Sequence, residues 1–257
     1  MPKPLAVKFK TISIVGLGLM GGSLAAACRR KFPYARILGI SRDSRALAQA
    51  RKKGWIHEGT SDLKEGVRSA DLIVLCTPLN IFPKMLQQFD PYAPKGVLVT
   101  DVGSVKGDVL RFVESRKWKR LLFIGAHPMV GSHERGIQAA MPDLYDRGFT
   151  FVIRSRKSNP QAYAQIKSFW GKISPRIIEM GAEEHDQVVA EISHLPHVVA
   201  SCLTLAVSKK SLNYAASGFR DVTRIAQGDP SIWLPILQSN RKSVIQAIQN
   251  LEKILLE

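Results

Sequence analysis

The stretch TISIVGLGLMGGS, Thr11 to Ser23, decides the fold of this chain. It begins with an apolar, β-branched run, passes through three spaced glycines and continues into the small-residue segment LAAACRR. A strand, a tight turn and a helix are predicted, with Gly16 allowing the turn, Gly18 leaving room beside the backbone and Gly21 letting the helix pack on the strand. Because unpaired N–H groups at such a helix N-terminus attract an anion, the stretch predicts a site for the pyrophosphate of a dinucleotide.

The composition is that of a globular protein. With 257 residues, of which 45% are apolar, the chain is long enough for one large or two modest domains. No stretch is expected to span a membrane, and the opening MPKPLAVKFK lacks the apolar core of a signal peptide. Cys28, Cys76 and Cys202 have no C-x-x-C spacing and are expected to be buried free thiols. These features predict a cytoplasmic protein without membrane contact.

The charge is strongly basic. The 37 Lys and Arg residues against 21 Asp and Glu give a net charge of +16, which raises the question of nucleic acid. The basic residues form scattered clusters, and no zinc-finger or RNA-binding signature accompanies them. A generally basic surface and no nucleic-acid partner are therefore predicted.

The pattern along the chain changes once. Buried strands alternate with helices up to about Gly181, which predicts an α/β, Rossmann-type, doubly wound and mostly parallel sheet over residues 1–180. From Ala182 onward apolar residues recur at helical spacing, which predicts an all-helical dimerisation domain over residues 181–257. Because such a tail cannot bury its apolar faces well alone, a homodimer is expected.

The end of the second strand bears on the cofactor. An acidic residue about 20 positions beyond the glycines usually binds the adenosine ribose, but Ser41 and Arg42 stand there. A hydroxyl and a guanidinium can bind a 2′-phosphate, which favours NADP. NAD is the alternative cofactor, because the carboxylate of Asp43 could bind the ribose hydroxyls instead.

Later strand ends predict the ligand crevice. The residues expected to line it are Thr77, Pro78, Asp101, Gly103, Ser104 and Lys106. A strand from Leu121 to Ile124 is expected to deliver His127 at its carboxyl end. An imidazole there suits proton transfer because its unperturbed pKa is near neutrality, although a structural histidine is the alternative.

Taken together, the motifs identify a family. GLGLMGGS, DVGSVK, GAHPMVGSHERG, ISHLPH and GFRDVTRIAQGDPSIW resemble, in order and spacing, those of the prephenate/arogenate dehydrogenases of tyrosine biosynthesis. The resemblance covers nearly the whole chain. It implies oxidative decarboxylation of a cyclohexadienyl substrate, with hydride transfer to NAD(P), in a cleft between the two domains.

The resemblance also implies roles for individual residues. His127 matches the catalytic histidine that accepts the ring-hydroxyl proton, Ser104 assists at the same hydroxyl, and Arg224 clamps a substrate carboxylate. The remaining expected substrate-binding residues are His194, His197, Gln138 and Glu134. The expected cofactor-binding residues are Gly16, Gly18, Leu19, Met20, Gly21, Ser41, Arg42, Thr77, Pro78 and Asp101. Trp233 is either close to the substrate or part of the core.

Several alternatives stay open. Read alone, His194 and His197 suggest metal ligands, but no matching partners are evident and hydride transfer needs no metal. The uncharged Gln138 offers no charge partner to the ammonium of arogenate, so this residue favours prephenate as the substrate. The expected use of NADP favours arogenate instead, because NADP accompanies arogenate activity in some relatives. Another NAD(P)-dependent dehydrogenase or imine reductase, and a non-catalytic dinucleotide-binding regulator or nucleic-acid binder, are the remoter alternatives.

Overall fold

The computed structural model describes residues 9–131 and 134–257. Two sequence features lie outside the described residues: most of the opening segment, on which the expectation of no signal peptide rests, and Ser132-His133 within GAHPMVGSHERG. The chain divides into two compact units, the first ending at Ala182 and the second spanning Glu183–Glu257.

A six-stranded parallel sheet organises the first unit. Its strands are β1 (Thr11–Val15), β2 (Arg36–Ile40), β3 (Glu58–Thr60), β4 (Leu72–Leu75), β5 (Val97–Asp101) and β6 (Leu121–Phe123). Their order is β3-β2-β1-β4-β5-β6, and every neighbouring pair runs parallel. The order reverses between β1 and β4, as the doubly wound fold requires.

Helices cover both faces of this sheet. They are α1 (Leu19–Lys31), α2 (Ser44–Lys52), α3 (Leu63–Val67), α4 (Phe82–Phe89), α5 (Gly107–Glu114) and α6 (Pro160–Ile173). Within β4, Leu72 and Val74 join one apolar cluster while Ile73 and Leu75 join another. Because successive side chains of a strand point to opposite faces, both faces of β4 are buried. The predicted Rossmann-type fold is confirmed.

A second, three-stranded sheet departs from the prediction. It consists of β7 (Ala126–Pro128), β8 (Thr150–Ile153) and β9 (Ile177–Met180), with β7 antiparallel to β8 and β8 parallel to β9. The expectation that His127 lies at the carboxyl end of β6 is therefore wrong, because β6 ends at Phe123. The N–H of Ile153 donates to the carbonyl of Gly125 over 2.9 Å, so the chain leaves the first sheet and pairs with β8 instead.

The second unit is helical, as predicted. Its helices are α7 (Ala182–Val189), α8 (Leu195–Ala206), α9 (Lys209–Leu212), α10 (Ser217–Thr223), α11 (Pro230–Ser239) and α12 (Arg241–Leu256). A π-helical segment, Ala190–His194, joins α7 to α8 in one continuous helix. Wider turns of this kind often occur at functional sites.

That continuous helix contains a long apolar stretch, and it corrects the expectation that all three cysteines are buried. Ala182–Ala206 has 25 residues and a mean hydropathy of 1.4 in its most apolar window, so by length and composition alone it could cross a membrane. Among the three free cysteines, Cys28 is buried, but Cys202 on α8 is exposed because no described residue covers that face of the helix.

Candidate functional site

The carboxyl ends of β1 and β4 mark the point where the strand order reverses, which is where open parallel sheets bind ligands. Gly16 follows β1 with a φ of +93°, a left-handed conformation that favours glycine. A Cβ atom on Gly16 would lie 2.8 Å from Cγ2 of Thr77, and one on Gly21 would lie 1.8 Å from the carbonyl oxygen of Gly16. Both positions therefore require glycine for close packing.

Gly18 has a different environment. A Cβ atom built on it would meet no described atom within 4 Å, so the space beside it is open. Gly18 is the N-cap of α1 and provides no side-chain cap, and the first turn of α1 carries no acidic residue. The first N–H groups of a helix lack partners within it, and the helix dipole adds partial positive charge there. The residues that fit a pyrophosphate are Gly16, Gly18, Leu19, Met20 and Gly21.

The end of β2 presents one carboxylate that is already engaged. Oδ1 of Asp43 accepts hydrogen bonds from the N–H of Arg45 at 2.9 Å and of Ala46 at 3.4 Å, and so caps α2. The N–H of Asp43 donates to Oγ of Ser41 over 3.2 Å. Arg42, between them, is exposed. The Arg42 guanidinium and the Ser41 hydroxyl are thus available to a ligand at the end of β2, while Asp43 stabilises α2.

The ends of β4 and β5 differ from each other. Thr77 is half-buried and Pro78 exposed, so both remain accessible beside the glycine loop. Asp101 and Lys106, however, are 0% and 1% exposed and form an ion pair with each other. The expectation that these two side chains line the crevice is therefore corrected. The sequence showed a carboxylate at a strand end but not the lysine that would turn inward to neutralise it.

His127 and Ser104 are brought together through that carboxylate. Its Oδ2 accepts from the N–H of Gly103 at 2.9 Å and its Oδ1 from the N–H of Ala126 at 3.1 Å, and these are the residues that precede Ser104 and His127. The His127 side chain is 8% exposed, and its ring centroid lies 6.3 Å from that of Phe151. Ser104 is half-buried. A nearly buried imidazole and a hydroxyl on adjoining segments can accept or relay a proton.

In the helical unit, His197 packs flat against Trp233. Their ring centroids are 3.6 Å apart with an interplanar angle of 6°. Gly228 closes over this pair, since a Cβ atom there would lie 2.3 Å from Nε1 of Trp233. Nδ1 of His197 is buried and has no hydrogen-bond partner among the described residues. Burial lowers the pKa of His197, an effect that a hydrogen bond to the backbone of Ile225 opposes, and the buried Nδ1 can bond a ligand.

His194 is held by a network that the sequence did not reveal. It is 1% exposed, and its Nδ1 lies 3.1 Å from Nδ2 of Asn240, which also donates to the carbonyl of Asp186 over 2.7 Å. Burial lowers the pKa of His194 to about 4, an effect that nearby Asp186 opposes. No group of three possible ligands in the described part of the chain could hold a metal ion. Asn240 lies between α11 and α12, and its position there is the one sequence feature that bears on its contact with His194.

This buried histidine makes stability depend on pH. Because its folded pKa of about 4 lies below the unfolded value near 6.5, the unfolded state binds a proton first as pH falls. We expect the free energy of unfolding to be fully maintained above pH 6.5 and to fall by about 3 kcal/mol down to pH 4 on account of His194. Urea unfolding of wild type and His194→Asn should diverge in this pH window, whereas parallel pH profiles would contradict the assignment.

The other expected substrate-binding residues are exposed. Arg224 opens a short 3-10 turn, Arg224–Gln227, after α10, and no described carboxylate forms an ion pair with it. Gln138 is exposed and folds back over the loop, since a Cβ atom on Gly136 would lie 2.7 Å from its Oε1. Glu134 is exposed two residues before Gly136. A free guanidinium on a short turn can bind a carboxylate through two parallel hydrogen bonds.

Comparison with known proteins gives the same division of the chain. The sequence profile of the prephenate dehydrogenase nucleotide-binding domain matches residues 24–179, and that of the prephenate dehydrogenase dimerization domain matches residues 181–256. The chain is 35% identical to the prephenate dehydrogenase of Bacillus subtilis, over 95% of this chain and 69% of that protein.

Solved structures are also similar. Prephenate dehydrogenase from Aquifex aeolicus, in complex with hydroxyphenyl propionate and NAD+, superposes with a TM-score of 0.88 at 30% identity, covering 97% of this chain and 89% of the other. Synechocystis arogenate dehydrogenase superposes with a TM-score of 0.82 at 30% identity, covering 95% and 89%.

The glycine loop lies at the switch point of a doubly wound sheet, where dinucleotides bind. Together with the family models and the similar NAD+ complex, it supports an oxidoreductase that uses a nicotinamide dinucleotide. Within that class, the chain belongs to the prephenate dehydrogenase family. The resemblance seen in the sequence motifs is thereby confirmed.

Proposed function

We propose that this protein catalyses the oxidative decarboxylation of prephenate to 4-hydroxyphenylpyruvate with NADP as hydride acceptor. The observation that carries the proposal is the nearly buried His127 beside a Ser104-bearing loop in a chain of this family. The net charge of +16 suits a substrate and a cofactor that are both anions. Two dissolved reactants need no membrane, which agrees with a cytoplasmic enzyme.

The reaction sets the requirements for the side chains. A nicotinamide dinucleotide held by the glycine loop would supply the acceptor for the hydride of the hydroxyl-bearing ring carbon. His127 accepts the hydroxyl proton as the carbonyl forms, and Ser104 holds the same oxygen by a hydrogen bond. The bond from the ring to the carboxylate then breaks, its electron pair enters the ring, and CO₂ leaves. The resulting oxyanion regains a proton from His127, and aromatisation drives the sequence forward.

Substrate binding falls to Arg224 and His197. Arg224 binds a substrate carboxylate through its planar guanidinium, and Nδ1 of His197 accepts or donates one further hydrogen bond. Trp233 stacks on His197, and this contact supports a place for the tryptophan in the substrate site. Glu134 lies on the same loop as Gln138 and contributes to substrate entry.

Prephenate is favoured over arogenate by Gln138. Arogenate carries an ammonium where prephenate carries a keto group, and a neutral carboxamide gives the ammonium no charge partner. Arogenate, which would yield tyrosine, is the second candidate because the chain is similar to an arogenate dehydrogenase at a TM-score of 0.82.

NADP is favoured over NAD by the end of β2. Ser41 and Arg42 offer a hydroxyl and a guanidinium, and the carboxylate of Asp43 is engaged in capping α2. We expect Arg42→Ala to lower kcat/KM for NADP about tenfold or more, the value of one charge-assisted hydrogen bond, while kcat/KM for NAD stays nearly constant. Arg45→Ala, in the first turn of α2, is the matched control. An equal loss for both cofactors would refute the 2′-phosphate assignment.

The helical unit is proposed to form a homodimer. Several large apolar side chains of this unit are exposed, among them Leu205 at 85%, Tyr214 at 81% and Leu256 at 82%. A second copy would remove this surface from water, which also accounts for the apolar character of Ala182–Ala206.

The experiment that tests the function is a set of four initial-rate assays at 340 nm, crossing prephenate and arogenate with NADP and NAD. We expect the highest kcat/KM with prephenate and NADP. A preference for arogenate would transfer the proposal to the second candidate. Folded dimer without turnover in any assay would refute the enzyme and favour a dinucleotide-binding regulator.

A further inference from the structure

We infer that the buried Asp101–Lys106 ion pair is a positioning device that orients both Ser104 and His127. The inference rests on the proposed function, because it takes these two residues as the catalytic groups. It assigns no contact with substrate or cofactor to either member of the pair. Asp101 is the last residue of β5 and Lys106 precedes α5, so the pair is built on the main sheet of the first unit.

The pair holds the free edge of strand β7. The carbonyl of Gly125 accepts from Ile153 and the N–H of Met129 donates to Phe149, so these alternate residues of the segment bond toward β8. In an antiparallel pair, only every second residue directs its N–H and C=O toward the partner strand. Ala126 belongs to the other set, so its N–H and C=O point away from β8. An unpaired edge that is buried needs partners for these groups.

Asp101 and Lys106 supply those partners. Oδ1 of Asp101 accepts from the N–H of Ala126 at 3.1 Å, and Nζ of Lys106 donates to the carbonyl of Ala126 over 2.8 Å. The two charged side chains therefore replace a neighbouring strand at this one residue. The carbonyl of Ala126 belongs to the peptide bond that leads into His127. Its direction therefore fixes the backbone from which the His127 side chain extends.

The second oxygen of the same carboxylate holds the other segment. Oδ2 of Asp101 accepts from the N–H of Gly103 at 2.9 Å and also contacts Nζ of Lys106. A Cβ atom on Gly103 would lie 2.8 Å from that oxygen, so the approach depends on glycine. Ser104 follows directly. One carboxylate thus sets the spacing between the backbone before Ser104 and the backbone before His127.

Burial makes stability alone a weak explanation for the pair. Asp101, Lys106 and Ala126 are 0%, 1% and 0% exposed, so both charges lose their hydration. A buried ion pair often contributes no more to stability than apolar side chains of similar size. Its effect on geometry is specific, because misplacement of reacting groups by about 1 Å can cost about 10²-fold in rate.

Asp101→Asn tests the inference, with Asp90→Asn as the matched control. Asp90 is also buried, and its carboxylate accepts the N–H groups of Lys119, Arg120 and Leu121 at the start of β6, away from both catalytic segments. We expect Asp101→Asn to lower kcat about 10- to 100-fold while KM and cofactor affinity stay within about twofold. Asp90→Asn should lower the melting temperature but leave kcat near the wild-type value. Equal kcat effects of both substitutions would overturn the inference.

Histidine ring resonances supply a readout besides turnover. In protein labelled with 13C-histidine, the His127 signals are identified by their loss in His127→Asn. We expect Asp101→Asn to shift or broaden them and Asp90→Asn to leave them unchanged. This outcome does not depend on turnover, so an inactive wild type would refute the proposed function while the spectra still decide the positioning role. Unchanged His127 signals in Asp101→Asn would contradict that role.

A second variant covers the case in which the single substitution prevents folding. Asp101→Asn/Lys106→Met removes both charges and leaves neither buried alone. We expect it to fold and to show the same loss of kcat and the same shift of the His127 signals. If both variants lose the fold while Asp90→Asn keeps it, the pair is a determinant of the whole fold, and the specific positioning role is overturned.

Discussion

His127→Asn is expected to lower kcat by about 10²- to 10⁴-fold, the contribution of a positioned general base. Asparagine preserves a polar side chain on β7 but cannot accept a proton near neutral pH. The affinity for the dinucleotide should stay within about twofold, because the glycine loop lies at the ends of β1 and β4 in the other sheet. The measurements are steady-state kinetics with prephenate and a cofactor titration by fluorescence.

His57→Asn is the matched control for this substitution. His57 belongs to the same unit, but its Nδ1 accepts from the N–H of Ile37 at 2.8 Å and its Nε2 lies 2.6 Å from Arg29, so it has a local structural role. Its replacement should leave kcat within about twofold. Wild-type turnover in His127→Asn would remove His127 from the mechanism and restore the alternative of a structural histidine.

Arg224→Ala is expected to raise KM for prephenate about 30- to 150-fold, which corresponds to the loss of about 2–3 kcal/mol from charge-assisted hydrogen bonds. The change in kcat should be much smaller, because the guanidinium binds the same carboxylate before and during hydride transfer. Arg224→Lys should give an intermediate KM, since an ammonium keeps the charge but cannot form the two parallel bonds.

The neighbouring Arg220 supplies the control for general charge. It is exposed on α10, four residues before Arg224, and Arg220→Ala removes the same charge from the same part of the helical unit. KM should change less than threefold. Equal increases in KM for Arg220→Ala and Arg224→Ala would mean that overall charge, rather than a specific clamp, attracts the substrate.

The sequence predicted the features that depend on short-range patterns. Spaced glycines after an apolar run specify a strand, a turn and a helix, and the structure explains each glycine by an atom that a Cβ would meet or by open space. The continuous apolar run of β4, which is buried on both faces, and the helical periodicity after Gly181 were likewise evident. The parallel sheet and the helical unit could therefore be predicted from local chemistry.

Contacts between distant residues could not be predicted in this way. His127 belongs to a second sheet because β7 finds its partner in β8, and the Asp101 carboxylate is buried against the backbone of Ala126, 25 residues later. Both outcomes depend on which segments meet in three dimensions. The His194–Asn240 contact spans 46 residues, and only the folded helical unit brings those side chains together.

The most direct test of the central claim is the stoichiometry of the reaction. Purified protein would be supplied with prephenate and limiting NADP, and NADPH, CO₂ and 4-hydroxyphenylpyruvate would be quantified after complete conversion. The account predicts one equivalent of each for every NADP consumed. Aromatic product without NADPH, or NADPH without release of CO₂, would contradict oxidative decarboxylation at this site.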